Sequence, residues 1–142
     1  MPMTSWPPNT FGIAGLKNTG KTTLVERLVT ELSSRGLRVA TLKHAHHDFT
    51  IDHAGTDSYR HRASGSVETI VSSAKQTVQM TSVGQEEPTL SQLLARLGAH
   101  DIALVEGWKS ESLPKLMLVK EGEERPYDGT IAVVRPEGEQ NS

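Results

Sequence analysis

One segment near the start of this chain constrains its fold more than any other. It runs from Gly15 to Thr22 and fits the pattern G-x-x-x-x-G-K-[ST] at every fixed position. Apolar residues 11–14 precede it and an amphipathic helical pattern follows it, which is the strand, loop and helix context that the pattern requires. The segment predicts a phosphate-binding loop and therefore a nucleotide-binding protein.

The fixed positions of this loop have separate chemical roles. Gly15 and Gly20 allow turns in which backbone N–H groups surround phosphate oxygens. Lys21 is expected to reach the β- and γ-phosphates, the Thr22 hydroxyl to bind Mg²⁺, and the helix dipole to favour the same anion. Lys17 is interpreted as a solvated loop residue. The residues assigned to the predicted nucleotide-binding segment are Gly15, Leu16, Lys17, Asn18, Thr19, Gly20, Lys21, Thr22 and Thr23.

Length and composition limit the other possibilities. The 142 residues predict a single nucleotide-binding domain, ordered from about residue 10 to 134, with flexible ends at 1–9 and 135–142. The absence of cysteine excludes disulfides and thiolate metal sites. A formal net charge of −2 with dispersed charges disfavours nucleic-acid binding, and no run is long enough to span a membrane. We expect a cytoplasmic protein that binds neither nucleic acid nor membranes.

Hydrophobic periodicity predicts an α/β fold with a mostly parallel sheet flanked by helices and a β-hairpin excursion. A helix is predicted at 21–35 and a strand at 37–42, which with the first strand form a right-handed βαβ unit with parallel pairing. The other predicted elements are a short helix at 57–63, hairpin strands at 67–71 and 77–80, a helical stretch from 89 to Gly98, and strands at 101–105, 115–119 and 130–134.

An acid that follows a buried strand is the second constellation. Glu106 comes directly after the apolar run 102–105, where P-loop proteins place a carboxylate that binds Mg²⁺ directly or through water. Gly107 next to it permits close approach of the backbone to a phosphate. Asp101 begins the same strand and should lie at its far end. Glu106 is therefore the predicted metal-linked acid.

A polar segment at 43–52, directly after the second predicted strand, is the third constellation. Its His-x-His spacing could chelate a transition metal, and a merely solvated loop is also compatible with its composition. The interpretation we favour is a switch-like loop near the γ-phosphate, because the segment follows a P-loop βαβ unit. In that loop Asp48 or Asp52 would support Mg²⁺, and Lys43 or a histidine would support the phosphate charge.

Together these motifs resemble the molybdopterin-guanine dinucleotide biosynthesis protein B family, MobB. The resemblance extends from about residue 11 to 134, and the His-rich run with Gly-x-Asp-Ser-Tyr and Glu-Gly-aromatic-Lys makes it more specific than the loop alone. The segments that carry it are Gly15–Thr23, Leu42–Asp48, Asp52–Arg60, Ala63–Gly65 and Val105–Lys109.

The resemblance implies a GTP-binding adapter in molybdenum cofactor maturation. Members of the family look like homodimers with weak GTPase activity that work beside the guanylyltransferase, which attaches GMP from GTP to molybdopterin. Part of the shared surface could face the pterin cofactor or the transferase. The family pattern marks Gly20, Lys21, Thr22 and Thr23 for phosphates and magnesium, and His44, His47, Asp48, Asp52, Gly55, Asp57, Ser58, Glu106 and Gly107 as functional surface.

The chain departs from the family pattern in two places. Thr56 stands where relatives often have lysine, so a phosphate contact there would need Arg60 or Arg62. The sequence also ends soon after 130–134, where relatives continue and where GTPases commonly read guanine, and it has no Asn-Lys-x-Asp motif. Guanine preference therefore rests on the resemblance. Two alternatives stay open: a small P-loop kinase or ATP-dependent ligase, and a metal-handling protein built on the His-rich segment.

Overall fold

The computed structural model describes residues 5–15, 20–45, 56–84, 86–119 and 129–134. The chain divides into two compact units, Met1–Ala45 with Leu90–Ser142, and His46–Thr89. Its elements, in chain order, are β1 (Thr10–Gly15), α1 (Lys21–Ser34), β2 (Val39–Lys43), α2 (Asp57–Ala63), β3 (Glu68–Ser72), β4 (Thr77–Thr81), α3 (Leu90–Leu94), β5 (Ile102–Glu106), β6 (Lys115–Leu118) and β7 (Thr130–Val134).

The first unit contains a five-stranded sheet in the order β2-β5-β1-β6-β7. Every neighbouring pair in this sheet is parallel. Parallel strands need crossover connections, and α1 supplies the one between β1 and β2. The α/β fold with a mostly parallel sheet flanked by helices, as predicted, is confirmed.

The predicted pairing of the first two strands is wrong. β5 lies between β1 and β2 and pairs in parallel with both. Residues 102–105 are apolar throughout, and such a strand suits a position where both edges are hydrogen-bonded and both faces are covered. The α1 crossover therefore spans one intervening strand.

Two element boundaries differ from the prediction by more than one residue. β2 begins at Val39, because Arg38 is engaged at the strand entrance: its backbone N–H donates to the Asp101 carboxylate at 2.6 Å and its carbonyl accepts from the Asp101 N–H at 2.8 Å. α3 ends at Leu94, after which the bond from Leu97 N–H to the Leu94 carbonyl tightens the chain into a turn. Both changes occur where local hydrogen bonds compete with the regular element.

The core of the first unit lies between α3 and the sheet. Leu90 and Leu94 on α3 pack with Ala103, Val105 and Leu113, each of which is buried. The two leucines are four residues apart and so lie on the same face of the helix, while Ala103 and Val105 share one face of β5. The same alternation directs Glu106 to the other face of the sheet.

The second unit combines α2 with the predicted hairpin. β3 and β4 pair antiparallel in the register Thr69↔Met80, which confirms the hairpin. Thr56 is the N-cap of α2, and its hydroxyl oxygen accepts the N–H of Tyr59 at 3.4 Å. The unit exposes several large aliphatic side chains, Val67, Ile70, Val71 and Val83.

In the part of the chain that the structure describes, no helix has the length and apolar character that crossing a membrane requires.

The ion pair at the entrance of β2 and β5 makes stability depend on pH. Hydrogen bonds from Arg38 lower the pKa of Asp101 below its ordinary value of 3.8. A depressed folded-state pKa gives stabilisation that is fully present above pH 4 and is lost as pH falls through the lower folded value. We expect the urea midpoint of the wild type to fall more than that of Asp101→Asn between pH 5 and pH 2.5. Superimposable pH profiles would contradict this assignment, and 0.5 M salt should reduce the difference because the pair is partly exposed.

Candidate active site at the carboxyl ends of the strands

Glu106 lies at the carboxyl end of β5, directly beside the strand that leads into the phosphate-binding loop. Its register partners are Ile13 on β1 and Lys43 on β2. The residue is 9% exposed, and its Oε2 lies 3.8 Å from the Lys43 Nζ. A largely buried carboxylate needs a counter-charge, and Lys43 supplies one. The structure thus brings an acid and a cation together. In the register of the sheet this pair lies level with Ile13, two residues before the end of β1.

Gly107 allows the chain after Glu106 to pass close to the end of β2. Its φ is +110°, and a Cβ at this position would lie 2.9 Å from the His44 Cβ. The His44 N–H donates to the Glu106 carbonyl at 2.9 Å. The His44 and Trp108 rings lie 5.3 Å apart, tilted by 57°. Glycine is therefore required here both by conformation and by space.

The N-terminus of α1 has the features of an anion site. Gly20 is the N-cap, with φ 90° and ψ 23°, and it provides no side-chain cap. The first helical bond runs from the Leu24 N–H to the Gly20 carbonyl, so the N–H groups of Lys21, Thr22 and Thr23 precede the helical ladder. The first turn contains no acidic residue. The arrangement suits phosphate oxygens, which would accept these N–H groups.

The remaining predicted site residues are divided between two groups. Asp57 and Ser58 lie in the second unit, in the first turn of α2, and Thr56, at the position that differs from the family pattern, caps that helix. Among the residues that the structure describes, no group of three or more His, Asp or Glu side chains could hold a metal ion. The predicted residues that fall outside the described ranges are Leu16, Lys17, Asn18, Thr19, His47, Asp48, Asp52 and Gly55.

Sequence reasoning missed one residue near this site. Lys115, the first residue of β6, is 1% exposed, although lysine is rarely buried. Its Nζ donates to the Lys109 carbonyl at 3.0 Å and to the Glu111 carbonyl. Its position as the first residue of an otherwise apolar strand was the only sequence signal, and such a lysine is normally exposed.

The parallel sheet and the loop motif between β1 and α1 define a protein with the P-loop NTPase fold. A Glu at the end of the strand next to β1 fits that class. The family model for molybdopterin guanine dinucleotide synthesis protein B matches residues 10–135, and the chain belongs to this MobB family.

The relatives agree with this assignment. The chain is 41% identical over 115 residues to the molybdopterin-guanine dinucleotide biosynthesis adapter protein of Escherichia coli K12, covering 79% of this chain and 66% of the relative. It is 36% identical over 119 residues to the Haemophilus influenzae adapter protein, covering 82% of this chain and 66% of the relative. The chain thus spans slightly less than two thirds of the length of these proteins.

Solved structures show the same fold. The crystal structure of Bacillus subtilis MobB matches with a TM-score of 0.73 and 28% identity over 89% of this chain and 79% of that one. The MobB homologue from Bacillus stearothermophilus matches with a TM-score of 0.67 and 28% identity, over 89% and 77% of the two chains.

The close approach at Gly107 is testable by adding one carbon atom. We expect Gly107→Ala to destabilise the protein by about 1–3 kcal/mol, because alanine is strained at φ +110° and its Cβ would meet His44. Urea unfolding measures the loss. Gly98→Ala is the matched control, since within the described residues, its chain neighbours aside, no atom lies within 4 Å of its added Cβ. Equal stability of the two variants would show that the approach imposes no constraint.

Proposed function

We propose that this chain is a GTP·Mg²⁺-binding adapter in the formation of the molybdopterin guanine dinucleotide cofactor. Its relatives are named adapter proteins of that biosynthesis, and the proposal assigns the same role to this chain. The observation that carries the nucleotide-binding part is the position of Glu106. A buried carboxylate lies one strand from β1 at the end where β1 leads into the phosphate-binding loop.

The residues present fit a magnesium nucleotide. Carboxylate and hydroxyl oxygens are the ligands that Mg²⁺ prefers, and Glu106 and Thr22 provide one of each. Bound magnesium would neutralise charge on the β- and γ-phosphates. Lys21 and the first N–H groups of α1 would bind phosphate oxygens. Lys43 lies beside the Glu106 carboxylate, at 3.8 Å, and could contribute a further positive charge there. Asp48 or Asp52 would complete the metal site in this proposal.

GTP binding should depend on these charges. We expect Lys21→Ala to weaken GTP binding about 10- to 100-fold in the presence of Mg²⁺, because a charge-assisted hydrogen bond to phosphate is lost. Calorimetric titrations with GTP and ATP measure both affinity and preference, and Lys75→Ala, in the turn between β3 and β4, is the charge-matched control. A preference for ATP would instead support a small P-loop kinase or ligase.

The magnesium role of Glu106 has its own test. Glu106→Gln should remove most of the gain in GTP affinity that Mg²⁺ provides, because the charged metal ligand is lost, whereas binding in EDTA should not weaken. Asp101→Asn makes the same chemical change at the other end of β5 and should bind GTP normally. If both variants retain the full magnesium effect, Glu106 is not the metal-linked acid.

Hydrolysis should be slow in the isolated protein. The sequence has no arginine between Gly15 and Thr22, and no glutamine is placed by any motif to orient water. We propose a rate on the order of 10⁻³ s⁻¹, similar to GTPases without an arginine finger. Phosphate release under single-turnover conditions tests this. This slow rate is consistent with an adapter for the guanylyltransferase, with the nucleotide chemistry performed by that enzyme.

The proposal includes a homodimer. The family resemblance implies one, and the large aliphatic side chains that the second unit exposes would be removed from water in such an interface. Ile70, which is 63% exposed, should contribute to that contact. We expect sedimentation equilibrium to give twice the 15.5 kDa chain mass and Ile70→Glu to shift it toward the monomer. Ser91→Glu on α3 is the control, and a monomeric wild type would refute the dimer.

A further inference from the structure

The lysine at the start of β6 has no role in the function proposed above. Lys115 is 1% exposed, and its ammonium group is held by the carbonyl oxygens of Lys109, at 3.0 Å, and Glu111. Placing a cation in a protein interior is costly unless polar partners replace its water. A leucine or valine would fill this interior position without that cost. The presence of a buried lysine at this position therefore requires an explanation other than packing.

The chain segment that joins β5 to β6 explains why Lys115 is buried. Residues 107–114 lead from the end of β5 to β6 and pass β1, which lies between these two strands. These eight residues form a second crossover connection besides α1, called the crossover below. The Gly12 N–H on β1 donates to the Pro114 carbonyl at 2.8 Å, and a Cβ on Gly12 would lie 3.1 Å from the Lys115 Cβ and 3.6 Å from Leu113. The crossover thus lies directly against β1 at a residue without a side chain.

The Lys115 side chain runs from the end of the crossover back to its beginning. Two of its partners, the carbonyl groups of Lys109 and Glu111, are three and five residues after Glu106. Between them the chain makes a turn in which the Glu111 N–H donates to the Trp108 carbonyl at 3.2 Å. Trp108 in turn packs against His44. The segment that leaves Glu106 is therefore fixed by Lys115 at the start of β6 and by His44 directly after β2.

We propose that Lys115 is a positioning residue that holds the start of the crossover, and through it the Glu106–Gly107 strand end, in the geometry that a magnesium nucleotide requires. The positioning itself is a property of the protein without ligand. Its consequence for magnesium rests on the function proposed above. Lys115 acts through the backbone of residues 107–111 and is not assigned any contact with nucleotide.

The first test needs no nucleotide. In Lys115→Met the aliphatic length is kept and the donors are lost, so hydrogen–deuterium exchange of amides 107–112 should rise about tenfold, the factor that corresponds to one net hydrogen bond. Exchange in β1 and β2 should stay within about twofold, as local opening predicts. Lys75→Met, the same chemical change in the hairpin turn, should leave residues 107–112 unaffected. Unchanged exchange, or an equal rise throughout the sheet, would overturn the proposal.

A second pair of variants keeps the test decisive if Lys115→Met does not fold. Lys115→Arg retains a charge and several donors, whereas Lys115→Gln retains an amide but loses charge and reach. Protection of residues 107–112 should be close to wild type in the arginine variant and clearly lower in the glutamine variant. Equal protection in both would mean that the ammonium hydrogen bonds do not hold the crossover.

Nucleotide titration separates this proposal from the previous one. Lys115→Met should reduce the magnesium-dependent gain in GTP affinity about three- to tenfold and leave affinity in EDTA unchanged, a split that a general loss of stability would not produce. If the wild type binds no GTP, the proposed function fails while the exchange experiment still decides the positioning role. A wild-type magnesium effect that persists in full in Lys115→Met would overturn the link to the strand end.

Discussion

The placement of β1 between two parallel strands is the constraint on which the site depends. Hydrogen bonds on both edges fix β1 against β5 and β6, so the end of β1, the end of β5 and the crossover have a single relative arrangement. The loop motif begins at the last residue of β1, and the acid is the last residue of β5. Two residues that are 91 positions apart in sequence, Gly15 and Glu106, therefore come to the same edge of the sheet. Ligands of open α/β sheets bind at this edge.

Glycine makes close contacts possible at three places in this sheet. At Gly12 the crossover approaches β1, at Gly107 the end of β5 approaches β2, and at Gly129 a Cβ would lie 2.6 Å from the Ser112 carbonyl oxygen. Gly107 and Gly129 also have positive φ, whereas Gly12 is restricted only by space. Backbone hydrogen bonds form beside two of these approaches: the Gly12 N–H donates to the Pro114 carbonyl at 2.8 Å, and the Lys115 N–H donates to the Gly129 carbonyl at 3.2 Å.

Much of this could be predicted because the signals were local. The hairpin follows from alternation in two short runs, α1 from its apolar spacing, and Glu106 from an acid placed after an apolar strand. The order of strands could not be predicted in the same way, since β5 takes its place between β1 and β2 through pairing across 60 residues or more. Thr56 illustrates another limit: a family comparison suggested a missing lysine, while the structure shows a helix cap. Lys115 was missed because a single charged residue at the start of a strand indicates exposure, whereas its burial depends on the crossover that precedes it.

The electrostatics of Glu106 connect the resting protein to its proposed ligand. A carboxylate that is 9% exposed is costly to keep charged without a partner, and the Lys43 Nζ at 3.8 Å offsets part of that cost. A divalent cation at the same oxygen would compete with Lys43, whose long side chain is largely exposed and can turn toward the phosphates of the incoming nucleotide. The metal ion would replace Lys43 beside the Glu106 carboxylate, and the phosphates would give Lys43 a new anionic partner. Binding of the metal and binding of the nucleotide would therefore favour each other. The ion pair between Lys43 and Glu106 would be replaced by two, Glu106 with the metal ion and Lys43 with a phosphate. The backbone around Gly107 and the crossover, which Lys115 holds, would stay in place.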